Sequence, residues 1–173
     1  MKLLDPNIFI RRLLMLTTVY FFYIGIAIAQ PPLPNRNITI TATQPLHFGT
    51  FSLAGTAGGT VSVGYNGARS STGGVYLSAL APTAQPAIFD IKLCQGRNVT
   101  ITFSPTTILT GSNGGTFTLD IGPTEKGVSG SQFAVDNNCD FITTLRVGGT
   151  LHIPGNSPAG TYSGSFEIIF EQQ

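Results

Sequence analysis

From Ile38 onward the chain repeats apolar residues at every second position, and nowhere beyond the first thirty residues does a helical period take over. Strict alternation puts one dry face on an extended strand, whereas a helix needs apolar residues at three- and four-residue spacing. Ile38, Ile40 and Ala42 alternate with Thr39 and Thr41, and Val61, Val63 and Tyr65 alternate with Ser62 and Gly64. The same pattern runs through Phe89, Ile91 and Leu93, through Val99, Ile101 and Phe103, and through Phe117, Leu119 and Ile121. The longest register is Leu145, Val147, Gly149, Leu151 and Ile153; a closing strand carries Phe166, Ile168 and Phe170. Each strand with one dry face requires a second layer. Many short strands with frequent turns therefore predict a sandwich or barrel.

Punctuation falls where that reading needs it. Asn66-Gly67 and Asn113-Gly114 are hairpin-type turns, and Gly58-Gly59, Gly73-Gly74 and Gly148-Gly149 mark bends or strand irregularities. Pro45, Pro86, Pro105, Pro123, Pro154 and Pro158 are expected between strands, where a missing N–H costs a ladder nothing.

The first twenty-nine residues read as an export signal. Lys2, Arg11 and Arg12 form a basic lead, Leu13 to Ala29 is uncharged and largely apolar, and Ala27-Ile28-Ala29 is the small-x-small pattern of a cleavage site. An uncleaved anchor is the alternative, because seventeen residues reach the lower edge of a bilayer span. Three parts follow: a signal peptide over 1–29, an extended Pro-rich arm over 30–37, and one β-sandwich domain over 38–173. The expected place is outside the inner membrane, in the periplasm, on the surface or released, with membrane contact only through the signal segment.

Once the signal is removed, six Lys/Arg face seven Asp/Glu. That balance offers no electrostatic footprint for nucleic acid or an anionic membrane. Charged residues are only 10% of the chain, against about 25% in an ordinary soluble domain, so solubility rests on hydroxyls and amides. A strand-rich surface of that kind is inclined to pair with further strands.

Cys94 and Cys139 are the only cysteines. In an oxidising compartment an even pair is normally bridged, with two free thiols and a metal site as the alternatives. Cys94 is out of phase with Phe89, Ile91 and Leu93, so a bridge to the Asp136–Asp140 turn would staple the rim of the sandwich, not its centre. The common catalytic signatures are missing. His47 and His152 read as surface or edge residues, and Asp136 and Asp140 as a turn, since a calcium loop would need a different spacing. No catalytic residue, metal ligand or cofactor is assigned.

Three stretches carry a resemblance: Ile40 to Gly49, Gly59 to Val75, and Val147 to Phe166. In order and spacing they resemble the bacterial exported β-domains described as domain of unknown function 4402. More distantly, Leu46-His47-Phe48-Gly49 and Ala159-Gly160-Thr161-Tyr162-Ser163 are similar to spore-coat-U-type and archaic chaperone–usher pilin subunits. That resemblance implies an immunoglobulin-like antiparallel sandwich whose subunits lend an N-terminal strand to a neighbour. It makes Ile38, Ile40 and Ala42 the candidate strand-donation residues, and Phe166, Ile168 and Phe170 the candidate edge or closing strand. Partners would be other copies or related subunits, with an export chaperone. The short arm before Leu46, and the lack of a cysteine there, depart from the archaic pilins. The rival expectation is a monomeric module that binds glycan or protein through Tyr65–Gly74 or Thr106–Gly115, with its N-terminal strand in its own sheet. A small hydrolase would need His47 or His152 beside a carboxylate and a serine in a concave pocket.

Overall fold

A computed structural model describes residues 10–11, 14–15, 37–94, 97–136 and 138–173. The chain divides into two units, Met1–Pro34 and Asn35–Gln173. In the first, Ile10, Arg11, Leu14 and Met15 have helical backbone; the rest of the signal segment, and residues 30–36 of the arm, lie outside the described residues.

The second unit is built of strands. They are β1 (Ile38–Gln44), β2 (Phe51–Leu53), β3 (Gly59–Val63), β4 (Arg69–Gly73), β5 (Val75–Leu77) and β6 (Ala87–Leu93). Then follow β7 (Asn98–Phe103), β8 (Thr106–Gly111), β9 (Thr116–Thr124) and β10 (Gln132–Ala134), and finally β11 (Thr143–Ile153), β12 (Tyr162–Ser163) and β13 (Ile168–Gln172). Every strand pair is antiparallel. The large sheet runs β1-β6-β11-β9-β8-β12, with the β3–β4 hairpin paired to the far half of β11. The opposing sheet is β10-β7-β13, and β2 with β5 forms a separate ribbon.

One core joins the layers. Ile91, Leu93 and Leu145 of the large sheet and Val99 and Ile101 of the small one are wholly buried in a single cluster. Phe89 reaches across to Phe166 and Phe170, with ring centroids 6.4 and 6.0 Å apart. The alternation is read out as burial of every second residue along β7, in β9 as far as Ile121, and in β11 on either side of Gly148. The neighbours β1-β6-β11-β9 and β7-β13 match the A-B-E-D and C-F pairings of an immunoglobulin constant-type sandwich. The place of a seventh strand, on the outer edge of β13, is taken by no strand among the described residues.

Four sequence expectations are corrected. Ala42 is exposed, because β1 shifts register between Ala42 and Gln44 and turns its face there. Tyr65 leaves the core face: Gly64 closes the Asn66-Gly67 turn by accepting from and donating to Gly67 and Ala68, which puts Tyr65 in the turn. Pro123 lies inside β9, not between strands. The ladder jumps from Ile121↔Gly149 to Thr124↔Val147, so the missing N–H falls in a bulge where no partner is due. Lastly, Phe166 precedes the closing strand instead of belonging to it. Opposite the bulge, Gly148 packs so closely on Val63 and Tyr65 that a Cβ would meet the Val63 carbonyl and the Tyr65 nitrogen.

Candidate binding groove

Between the segments 46–53 and 157–166 the sandwich opens into an elongated groove of about 830 Å³. Its floor is the core face of three strands: Leu109 of β8, Phe117 and Leu119 of β9, and Leu151 of β11, all buried. One wall carries Leu46, Phe48, Phe51 and Leu53, and the other Tyr162 and Phe166. No lining residue is an Asp, Glu, Lys or Arg. Polar contributions come from His47 and from hydroxyls such as Ser52, Ser157, Thr161 and Ser163. A largely apolar, aromatic-floored crevice of this size lies within the range that binds ligands or partner segments.

Each wall has its own anchor. On one side, Arg69 of β4 donates to the carbonyls of Ser78 (3.0 Å) and Thr50 (2.9 Å), tying one end of the β2–β5 ribbon, where β2 begins and β5 ends, to β4. Gly49 passes over this guanidinium with φ +73, and a Cβ there would come within 3.0 Å of the Arg69 Cζ. Burial lowers the Arg69 pKa from its ordinary value, and its Nε is buried without a hydrogen-bond partner. Beside it, the Gly49 N–H donates to His47 Nδ1 at 2.8 Å, so the proton of the neutral ring sits on Nε2.

On the other side Tyr162 holds the wall. Its ring stacks on Phe117 with centroids 3.5 Å apart and planes 9° from parallel. The hydroxyl donates to the Pro158 carbonyl at 2.7 Å, which pins the chain at the corner leading into β12. Gly111 makes room for the ring, since a Cβ at that position would lie 2.7 Å from Tyr162 Cε1. Backbone pairing of this wall is slight: β12 contributes only Tyr162↔Gly111 and Ser163↔Thr110.

The other singled-out residues fall elsewhere. Cys94 and Cys139 form the disulfide, with Cα atoms 4.8 Å apart, between the end of β6 and an exposed turn. Asp136 and Asn138 accept from the N–H groups of Asn138 and Asp140, at 2.9 and 3.1 Å, and so shape that turn. His152 pairs with Asp120 at 2.7 Å across β11 and β9, half-exposed on both sides, and neither lines the groove. Of the two proposed binding loops, Thr106–Gly115 is mostly β8 and Tyr65–Gly74 mostly β4 and its turn.

Ile38 and Ile40 are half-buried against the core from a strand in the protein's own sheet, where they pair with Leu93 and Ile91 of β6. Ile168 and Phe170 are half-buried on β13, one of the two edge strands of the small sheet. The groove itself was missed. Leu46–Phe48 and Tyr162–Phe166 are separated by over a hundred residues, and no local pattern announces that they face each other.

Fold and groove together define an immunoglobulin-like, disulfide-bridged β-sandwich domain with an open crevice between its segments 46–53 and 157–166. By its family model, matched over residues 38–171, the chain belongs to the family described as domain of unknown function 4402. No curated protein and no solved structure matches it.

Proposed function

We propose that the mature chain is an exported structural or adhesive subunit of a bacterial surface, joined to its neighbours by an added β-strand and carrying no catalytic chemistry. The observation that supports this reading is the outer edge of β13, which no described strand pairs. An extended segment on that edge would gain main-chain hydrogen bonds from the sheet. The disulfide suits an oxidising compartment outside the inner membrane. The charge-poor surface and the pilin-like Leu46–Gly49 and Ala159–Ser163 elements agree with it. Its partners are other copies or related subunits, brought together with the help of an export chaperone.

Electron microscopy of producing cells with and without this chain, alongside light scattering of the purified mature protein mixed with co-exported surface proteins, tests the reading. Filaments or complexes that disappear with the chain support it. Identical cell surfaces, with a protein that joins nothing, would refute it.

A second reading has its own observation. β1 is paired with β6 in its own sheet over six register positions, as a self-complete monomeric module that binds glycan or protein requires.

A further inference from the structure

The outward face of the large sheet divides into two halves of different chemistry. Around β6 and the first part of β11, the positions that alternate with buried Ile91, Leu93, Leu145 and Val147 include Asp90, Lys92 and Arg146, a mix of both signs. Beyond Gly148, across β4, β3, β11, β9 and β8, the outward positions hold no Lys, Arg or Glu. Charge is sorted to one side.

Strand register sets six residues of the second half in two rows. In one row Ile108 stands opposite Thr118, and Thr118 opposite His152; two residues along each strand, Thr106 stands opposite Asp120, and Asp120 opposite Thr150. Hydroxyls extend both rows onto β3 and β4: Thr60, opposite His152, is bonded to Thr72 at 2.7 Å, and Ser62 to Thr150 at 2.9 Å. At the centre His152 Nε2 meets Asp120 Oδ2 at 2.7 Å, and these side chains are 49% and 48% exposed. An ionised carboxylate only accepts, so Nε2 carries the donated proton. Neither side chain makes another hydrogen bond among the described residues. Ile108, 62% exposed, is the one apolar side chain at these outward positions. Four inter-strand steps make the rows about 19 Å long.

Such a face has little to offer an ion. An anionic ligand would meet no Lys or Arg and would face Asp120, while a cation would find one carboxylate already engaged by His152. A sugar fits better: its hydroxyls can donate to Asp120 and accept from or donate to the threonines, and its C–H flank can cover Ile108. Water competes for each of those hydrogen bonds, so one sugar gains little. A chain of sugars laid along the rows accumulates the gain.

We infer that the outward face of β8, β9 and β11, continued by β3 and β4, binds a neutral polysaccharide, with Asp120 and His152 as the central polar pair and Ile108 as the apolar contact. The site gives the adhesive role proposed above its ligand class; it rests on that reading for export to the cell exterior and is independent of how subunits join.

The test is native electrophoresis of the oxidised mature protein through gels containing dextran, laminarin, mannan or galactan, with alginate as the acidic comparison, each mobility taken relative to a plain gel. Retardation by at least one neutral polymer, and none by alginate, is expected. Asp120→Ala and Thr118→Val should each weaken it at least fivefold, and Lys92→Gln, on the charged half of the same sheet, should leave it unchanged. Asp120 and Thr118 lie at the surface, so their urea midpoints should stay close to that of the wild type. Retardation that survives both substitutions would overturn the inference, because the sugar would then lie elsewhere; equal or stronger retardation by alginate would overturn it by showing an acidic ligand. Retardation by none of the polymers would overturn it as well, while surface assembly would still stand or fall by microscopy and light scattering.

Discussion

Replacing Cys94 and Cys139 with serine together should lower the unfolding free energy by about 4 kcal/mol, and nearly all of that change should act through the unfolded chain. The bridge closes a loop of sequence separation 45 that holds β7, β8, β9 and β10. In the chain-entropy relation a loop of that length removes about 4 kcal/mol of denatured-state freedom at room temperature. Little native packing is lost with it, since Cys139 is exposed and Cys94 only half-buried, and Leu93 and Val99 on either side are held by their own ladders. For a domain of this size the melting midpoint should fall by roughly 10–16 °C. Urea unfolding followed by circular dichroism measures the change, with the wild type under reducing conditions as a second comparison. The slope against urea should increase, because an uncrosslinked chain exposes more surface when it unfolds. Unchanged midpoints in the serine variant, or two thiols that titrate in the native oxidised protein, would refute the reasoning.

Tyr162→Phe should cost about 1 kcal/mol, the loss of one hydrogen bond to the Pro158 carbonyl, read as a shift in urea midpoint. Tyr162→Ala should cost about 3 kcal/mol or more, because the stack on Phe117 goes too, and a neutral hydrophobic dye should then bind the widened groove more strongly. Arg69→Met should release the Thr50 and Ser78 carbonyls; amide exchange should quicken in the β2–β5 ribbon ahead of the rest, with a stability loss of about 2 kcal/mol. Intact mass of exported material should place the mature N-terminus at Gln30, and recovery of Met1 or Lys2 in a membrane fraction would favour the anchor. Glu167→Val with Glu171→Val should raise the rate of light-scattering aggregation at fixed concentration by removing the exposed charges of the β13 edge; an unchanged rate would argue that this edge is already shielded.

Alternation makes most of the sandwich legible in the sequence. Val99-Ile101-Phe103 and, in β11, Leu145, Val147, Leu151 and Ile153 are buried as their period demands, because the inner face of a two-layer fold favours apolar side chains; only at Gly148 does a residue of the opposite phase in β11 become buried. The phase of Cys94 was equally informative: one step past Leu93 it leaves the core, and the bridge lies at the rim. Local pattern failed where the ladder itself changes. At Ala42 and at Gly122-Pro123 a register shift flips or interrupts the alternation; the second is marked by Pro123 and by Gly148-Gly149 opposite it, whereas nothing beside Ala42 marks the first. The groove was illegible for a related reason. Phe51, Phe117 and Tyr162 come from three distant parts of the chain, and their separate hydrophobicity reads as ordinary core.

The charge-poor surface sharpens the question of why such a chain would not stick to itself through every edge. Its edges are not alike. The ladder of β1 breaks at Ala42 and is followed by Pro45, which has no N–H to offer. The edge at β12 is two residues long, and that at β4 closes on Gly73 with φ +68, against Gly58 and Gly59. Short, bent or proline-marked edges are poor templates for a further strand. β13 carries an unbroken five-residue ladder whose inner residues Ile168 and Phe170 are half-buried and whose outer face bears Ile169, 49% exposed, and Glu171. Charge alone guards this edge, and the groove opens near its leading end at Phe166. It is the kind of edge that the proposed strand addition would use.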